Sequence, residues 1–232
     1  MKGFFQTAAS ILALVVVVSA IGYAIELFRR RSLQKWAQAQ GGSFEAGGIL
    51  EGVQVPEAAA FDARMKKVTY SNVSRIARPE ASYVVSQYHT TWKGTKDEVK
   101  SFSCVVCFIT LPKADLPPVH VSFPKHANIL GSLLGMPDPP PPLKVPDSST
   151  AFAGKFEVTA LEAAGDVKPE ALARLLPKAV QDDLVANEHL ISGLLVRGNV
   201  VRVMAVGKEY GYPHKEVFDV AARLAAAWTA SR

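Results

Sequence analysis

The chain has 232 residues, a net charge of +5, 49% hydrophobic and 20% charged residues. This length and composition indicate one substantial folded domain or two small ones, and they argue against a disordered chain. Five basic residues flank an apolar N-terminal segment. Without them and Glu26, the totals of 26 basic and 21 acidic residues fall to 21 and 20. A nearly neutral domain lacks the basic surface that binds phosphates, so we expect no nucleic-acid partner.

Residues 8–27 form an apolar run in which Glu26 is the only charge. A helix of about 20 residues spans a hydrocarbon core of about 30 Å, so the run predicts a transmembrane helix with the lipid bilayer as its partner. A cleaved signal peptide is the alternative, because the small residues of segment 19–24 offer a cleavage site. The length of the run and the arginines behind it favour the anchor.

Basic residues are concentrated behind the apolar run. Arg29, Arg30, Arg31 and Lys35 follow it, whereas Lys2 precedes it. The positive-inside rule therefore predicts a single-pass protein of the cell (inner) membrane with its C-terminal domain in the cytoplasm. The two cysteines of the chain are compatible with a reducing compartment.

The first half of the chain carries the strongest β pattern. A helix over residues 31–40 should end at Gly41-Gly42, because glycine adopts the backbone conformation of a helix C-cap. Residues rich in Val, Tyr, Phe, Thr and Ile predict three long strands, and polar residues 93–98 read as a hairpin loop between the last two. The other elements predicted here are a short strand around Phe44, a helix near 57–65, strands at 67–76, 82–92 and 100–111, and a strand at 119–123.

A proline-rich segment at residues 137–146 lies in the middle of the chain. It predicts a stiff polyproline II connector that does not join a sheet, with a proline-rich ligand for an aromatic groove as the alternative. Beyond it, the patterns predict a strand at 156–161, helices opened by Pro169 and over 179–186, strands at 189–197 and 200–206 turning at Gly198-Asn199, and a helix at 215–230. In that last helix Val217, Ala221, Leu224 and Trp228 form an apolar stripe that should face the core.

These elements predict an α+β fold. An N-terminal transmembrane helix precedes a mainly antiparallel β-sheet domain with helices packed on one face. The predicted organisation is a tail and transmembrane helix at 1–28, a basic juxtamembrane helix at 29–41 and a soluble domain at 42–232. Segments 31–92 and 126–206 can each be written helix, strand, helix, strand, strand, so an internal duplication is an open alternative.

Cys104 and Cys107 form the most prominent candidate motif, Cys-Val-Val-Cys. A redox pair of this spacing works at a helix N-terminus, but the surrounding residues predict a strand. Residues three apart on a strand point to opposite faces, and one cysteine pair does not supply the four ligands of structural zinc. We therefore expect two buried, unreactive cysteines.

Other candidate sites lack the spacing that their chemistry requires. His89, His120 and His126 could gather on a metal, but no metal-binding motif joins them. Segment 131–135 is not a nucleophile elbow, Gly154-Lys155 is not a phosphate loop, and Asp182-Asp183 reads as a solvated helix surface. We thus assign no catalytic, cofactor-binding or metal residues and expect no cofactor.

Several short phrases give the chain a family resemblance. It resembles bacterial membrane-anchored proteins that share a domain without an assigned activity, so the resemblance implies an anchored α+β domain and no functional residue. The phrases that carry it are residues 36–42 (WAQAQGG), 71–73 (SNV), 111–121 (from LP to PPVHV), 152–158 (FAGKFEV) and 175–177 (LLP).

The function predicted at this level is a membrane-tethered, non-enzymatic binding or scaffolding module with an unidentified protein partner. A membrane-bound hydrolase without a recognisable motif is one alternative. A domain that binds lipid or another apolar ligand is the second. Convergent polar groups in a pocket would favour the enzyme, a dry cavity the ligand carrier, and an apolar patch the scaffold.

Overall fold

A computed structural model of the chain describes residues 2–47, 52–62, 67–93, 99–123, 141–161, 167–205 and 212–230. Its first element is one long helix, α1 (Lys2–Ala39), which contains both the apolar run and the basic segment. Gly41 follows with φ +73°, its N–H donates to the Gln38 carbonyl at 2.9 Å, and the Gly42 N–H donates to the Ala37 carbonyl at 2.8 Å. This bonding pattern is a Schellman cap, so the predicted helix end at Gly41-Gly42 is confirmed.

Eight strands form a single sheet in the order β1-β2-β3-β4-β8-β7-β5-β6. Every neighbouring pair is antiparallel, which confirms the predicted α+β class with a mainly antiparallel sheet. Gly198, with φ +60°, turns the last hairpin where the sequence predicts it. The strands are β1 (Ser43–Glu45), β2 (Val68–Ala77), β3 (Ser82–Lys93), β4 (Val99–Thr110), β5 (Leu116–Ser122), β6 (Glu157–Ala160), β7 (Ile191–Gly198) and β8 (Val200–Ala205).

The other helices are shorter than α1. A 3-10 turn (Pro56–Ala58) leads directly into α2 (Ala59–Asp62), and α3 (Thr150–Ala153) is a single turn that the sequence analysis does not predict. The rest are α4 (Pro169–Leu175), α5 (Lys178–Ala186) and α6 (His214–Ala230). Proline at the first helical position of α4 confirms its predicted start.

The alternation of side chains gives the sheet two buried faces. On β4, Val105, Cys107 and Ile109 belong to one apolar cluster, and Val106 and Phe108 belong to the other. The first cluster contains α4, α5 and the whole predicted stripe of α6, so the longer helices pack on one face as expected. The second face is covered by the segment that contains α2.

Two interpretations of the sequence need revision. The proline-rich connector does reach the sheet: Pro142 forms a β-bridge with Thr159, and the Leu143 N–H donates to the Val158 carbonyl at 2.6 Å. This is possible because β6 is the last strand of the sheet, so the connector pairs with its open side. The connector itself then lies at the sheet edge, where proline is tolerated because its missing N–H is not needed by a further strand. Internal duplication is not shown, since the first half adds its strands in chain order and the second half does not.

Candidate functional site

The C-terminal part of α1 is docked on the sheet. Leu33 and Ala37, one turn apart, are buried, and α1 contacts β1 and β2. Trp36 meets Phe218 of α6 edge to face, with ring centroids 5.4 Å apart. In contrast, the large apolar side chains from Ile11 to Phe28 are exposed. The helix therefore has an apolar part that is free of the domain and supports a single-pass membrane protein, and a second part that belongs to the domain.

At the boundary between these two parts of α1, a polar network bonds the helix to strands β2 and β3. Glu26 accepts from Arg30 Nε at 2.9 Å and lies 2.9 Å from Arg29 Nη2 through its other oxygen. Arg29 Nη2 also donates to Gln87 Oε1 of β3 at 2.8 Å, and Asn72 Nδ2 of β2 donates to Glu26 Oε1 at 3.3 Å. Charge-assisted hydrogen bonds of this kind are stronger than neutral ones, so the two bonds to β2 and β3 add to the packing that docks α1 on the sheet.

Asn72 reaches the network because β2 contains a bulge. The pairing of β2 with β3 shifts between Ser71 and Ser74, and Asn72 has φ +53° with only 1% of its surface exposed. Asparagine tolerates this left-handed conformation better than most residues. The bulge places its amide against α1, which no periodicity in the sequence indicates.

The start of α6 meets the same region of α1. The guanidinium of Arg29 lies over the ring of Tyr212, 4.4 Å from its centroid. His214, the first residue of α6, is buried, and its Nδ1 donates to the Tyr212 carbonyl at 3.0 Å. Burial, together with the nearby charge of Arg29, lowers the pKa of His214 to about 4. The ring is therefore neutral near pH 7.

A groove of about 580 Å³ opens between α1 and the N-terminus of α6. Its lining combines three cationic side chains with two aromatic ones and a hydroxyl: Arg31, Lys35, Lys215, Phe28, Trp36 and Ser32. Residues 28, 31, 32 and 35 share one helix face, because residues three and four apart are neighbours on a helix. Ser32 and the three basic residues are exposed, so they remain available to a ligand. We refer to it below as the basic groove.

A separate buried polar cluster lies on the second face of the sheet. Arg202 of β8 is 1% exposed and donates from Nη1 to Asp62 Oδ1 at 2.8 Å. The hydroxyl of Tyr70 donates to the other carboxylate oxygen of Asp62. The guanidinium also lies 5.1 Å from the centroid of Phe61 and 5.6 Å from that of Tyr88. These contacts attach the end of α2 to the centre of the sheet.

Burial and neighbouring charges shift the pKa values of Arg202 and of the two tyrosines beside it. Burial alone would lower the pKa of Arg202. Its neighbours Tyr70 and Asp62 outweigh this effect and raise the pKa above its ordinary value, so the guanidinium stays charged. Burial also raises the pKa of Tyr70 and Tyr88, so both phenols stay neutral. Arg202 and the two tyrosines thus keep one protonation state near pH 7, and the arrangement is that of a structural clamp.

The predicted cysteine geometry is confirmed. Cys104 and Cys107 are both buried, free, and in opposite clusters of the sheet. Burial raises the pKa of Cys104 to about 12 and raises that of Cys107 as well, which keeps both as unreactive thiols.

The histidines that could have shared a metal do not come together where they are described. His89 lies on β3 and His120 on β5, four strands further along the sheet, and His126 lies outside the described residues. His89 Nδ1 instead contacts Ser103 Oγ across the β3–β4 ladder at 2.7 Å. The contact joins cross-strand neighbours, since His89 and Ser103 are paired in the register of β3 and β4.

The remaining candidates have structural positions. Asp182 is exposed on α5, and Asp183 accepts from Arg223 Nε of α6 at 3.0 Å. Gly154 caps α3, and segment 131–135 lies outside the described residues. The basic groove was not predicted as a site, because Arg31 and Lys35 lie in a flank whose position indicates membrane orientation. The nearest signal in the sequence was the spacing of Phe28, Arg31 and Lys35.

Comparisons with known proteins leave the function open. No family model and no curated protein matches the chain. Among solved structures, the crystal structure of the mycobacterial trehalose monomycolate transport factor A, TtfA, is similar with a TM-score of 0.48 and 12% sequence identity, covering 87% of this chain and 93% of that chain. A likeness at this level carries no conclusion about function, and the resemblance to bacterial membrane-anchored proteins stays a prediction.

Proposed function

We propose that this chain is a membrane-tethered, non-enzymatic binding module whose domain is held on its own anchor in a fixed pose. The observation that carries the proposal is the network of Glu26, Arg29, Arg30, Asn72 and Gln87 at the boundary between the apolar and docked parts of α1. A flexible linker would let the domain rotate freely above the bilayer. A continuous helix bonded to two strands instead presents the same surface to the membrane at all times.

The buried polar groups described above stabilise the core, whereas the basic groove is open to solvent. Burial raises the pKa values of the buried thiols and phenols, and the charged Arg202 is paired with Asp62. The cations of the basic groove are exposed and lie together, which suits recognition through charge. The domain acts, in this proposal, by binding at the bilayer surface.

A distance measurement tests the fixed pose. Spin labels at Gly22→Cys in the apolar part of α1 and Ser82→Cys on β3 should give one narrow distance distribution in lipid nanodiscs, because both positions belong to one body. Glu26→Leu should broaden this distance distribution, because it removes the carboxylate that accepts a hydrogen bond from Asn72 of β2. The exposed Glu170→Leu is the matched control and should leave it narrow. A broad distribution in the unsubstituted protein would show that the pose is not fixed.

Photo-crosslinking tests whether the membrane-proximal surface is the binding surface. In intact membranes, a photoreactive residue at Ser32 should form covalent adducts with the molecules that this surface binds. One at the exposed Lys178 on α5 should form few such adducts. Equal yields from both positions would contradict a binding role for this surface. A catalytic activity that survives removal of α1 would contradict the non-enzymatic function.

A further inference from the structure

The basic groove lies at the height of the lipid headgroups. Phe28 directly follows the apolar run, and Lys35 stands seven residues, or about 10 Å, further along the same helix. The headgroup layer of one leaflet is about 5–7 Å thick. With the run embedded in hydrocarbon, Phe28 therefore sits at the acyl boundary, Arg31 and Ser32 in the headgroup layer, and the backbone of Lys35 about 3 Å beyond it. The long side chain of Lys35 can reach back into the layer, as lysine side chains do at membrane interfaces.

The lining of the groove matches both parts of a phospholipid. Phe28, 78% exposed, offers an apolar surface beside the acyl-chain segments nearest the headgroup, and Trp36 adds an indole further out. Arg31, Lys35 and Lys215 then converge on one opening from two different helices. Aromatic side chains favour this interface, and lysine and arginine bind phosphate.

The N-terminus of α6 adds to the positive potential of the groove. Lys215 lies in the first turn of this 17-residue helix, where the helix dipole favours an anion. The carboxylate of Glu26 is already held by Arg29 and Arg30, so it does not neutralise the groove cations. Glu216 and Asp219 are exposed on α6 and do not line the groove.

We infer that the basic groove binds the headgroup of one anionic phospholipid from the surrounding bilayer. The inference rests on the proposed function, since a groove at headgroup height needs the domain to keep its pose on α1. The bilayer is the occupant that the structure favours, because the exposed apolar surface of α1 runs without interruption into the groove. Binding there would add a second, lipid-dependent attachment between the domain and the membrane.

Native mass spectrometry of the full-length chain in detergent tests this inference. Titration with phosphatidylglycerol should give a single bound lipid at concentrations where zwitterionic phosphatidylcholine gives little. Neutralising the groove should weaken phosphatidylglycerol binding about fivefold per charge, hence about a hundredfold for three. The test variant is Arg31→Gln, Lys35→Gln, Lys215→Gln, and the matched control is Lys144→Gln, Arg174→Gln, Lys178→Gln, three exposed cations outside the groove.

The possible results separate the inference from the proposed function. Equal binding of the two lipids, or equal loss in the test and control variants, would overturn the lipid site and leave an acidic protein segment as the candidate occupant. The Gly22–Ser82 label distance should stay narrow in the test variant, because its three residues take no part in the Glu26 network. Lipid selectivity lost together with a broadened distance would instead mean that the substitutions had undocked α1, which would overturn the assignment of the cations to direct lipid binding.

Discussion

Arg202 and Asp62 are 140 positions apart in the chain, and the Nη1 of Arg202 donates to the Oδ1 of Asp62 at 2.8 Å on the second face of the sheet. The arginine is 1% exposed and the aspartate side chain 14%. A buried charge that loses its partner costs far more than a surface charge does, because no water replaces the lost contact. The pair therefore holds the segment around α2 against the sheet.

Removing one partner of this clamp should be strongly destabilising. We expect Asp62→Ala to lower the free energy of unfolding by about 3–5 kcal/mol, because it leaves the Arg202 guanidinium buried without its counter-ion. Asp183→Ala is the control, since it removes an aspartate from the more exposed pair with Arg223 and should cost less than about 1 kcal/mol. Urea unfolding of the full chain in detergent measures both, and equal losses would refute the clamp.

The two cysteines should behave as core residues. With the pKa of Cys104 raised to about 12 by burial, its thiolate is scarce at pH 7, and Cys107 is equally enclosed. Both should react with Ellman's reagent only after unfolding, and no Cys104–Cys107 disulfide should form because their side chains point to opposite faces. A rapid reaction of either thiol in the folded protein at pH 7 would contradict the burial.

Local patterns predicted much of the fold. Alternation in 82–92 and 100–111 indicated β3 and β4, and Gly41-Gly42 indicated the end of α1. Both signals act between near neighbours in the chain, which is why the sequence alone was enough. The order of β8 beside β4 had no such signal, because it depends on which apolar faces pack together in space.

The functional contacts could not be predicted in the same way. Alternation places the side chain of Arg202 on the other face of the sheet from its neighbours Val201 and Val203. Nothing in the pattern indicates that the distant segment 52–62 covers that face. The bulge at Asn72 and the arrival of Lys215 beside Arg31 are likewise results of tertiary packing. A basic flank behind an apolar run is usually interpreted as a topology signal, and the groove that its cations line forms only when α6 is in place.

Acidification should destabilise the domain through its buried histidines. Burial lowers the pKa of His120 to about 4, further lowered by the charge of Arg202, and the pKa of His214 falls to about 4 as well. An unfolded histidine titrates near 6.5, so between about pH 6.5 and 4 the unfolded chain binds more protons than the folded one. Stability therefore falls as the pH is lowered through this range, by about 2 kcal/mol per histidine at pH 5.

Single substitutions separate this effect from general acid sensitivity. We compare the difference in unfolding free energy between pH 7 and pH 5 for His120→Gln, His214→Gln and the exposed control His189→Gln. The first two should each reduce that difference by about 2 kcal/mol, because glutamine does not titrate, while the control should not change it. A pH dependence that is the same in all three variants would mean that the buried histidines are not its source.

Membrane orientation provides the last prediction. The positive-inside rule predicts that a reporter fused to the C-terminus faces the cytoplasm. Arg29 also donates to Gln87 of β3, and Arg30 bonds Glu26, which accepts from Asn72 of β2, so replacing them would disturb docking and orientation together. Arg31→Gln with Lys35→Gln removes two of the flanking charges without touching the Glu26 network. This variant should show a mixed orientation if the flank determines topology.

Paired reporters make the outcome of that experiment unambiguous. Alkaline phosphatase is active only outside the cytoplasm and green fluorescent protein only inside it, so opposite signals are expected from fusions to the unsubstituted chain. The control is Lys144→Gln with Lys178→Gln, which removes the same charge far from the anchor in sequence and should keep one orientation, because the rule depends on charges near the membrane. Phosphatase activity from the unsubstituted chain would place the domain, and with it the basic groove, on the opposite side. The lipid proposal would then require an anionic outer leaflet, and the lipid titration in detergent would still test it independently of orientation.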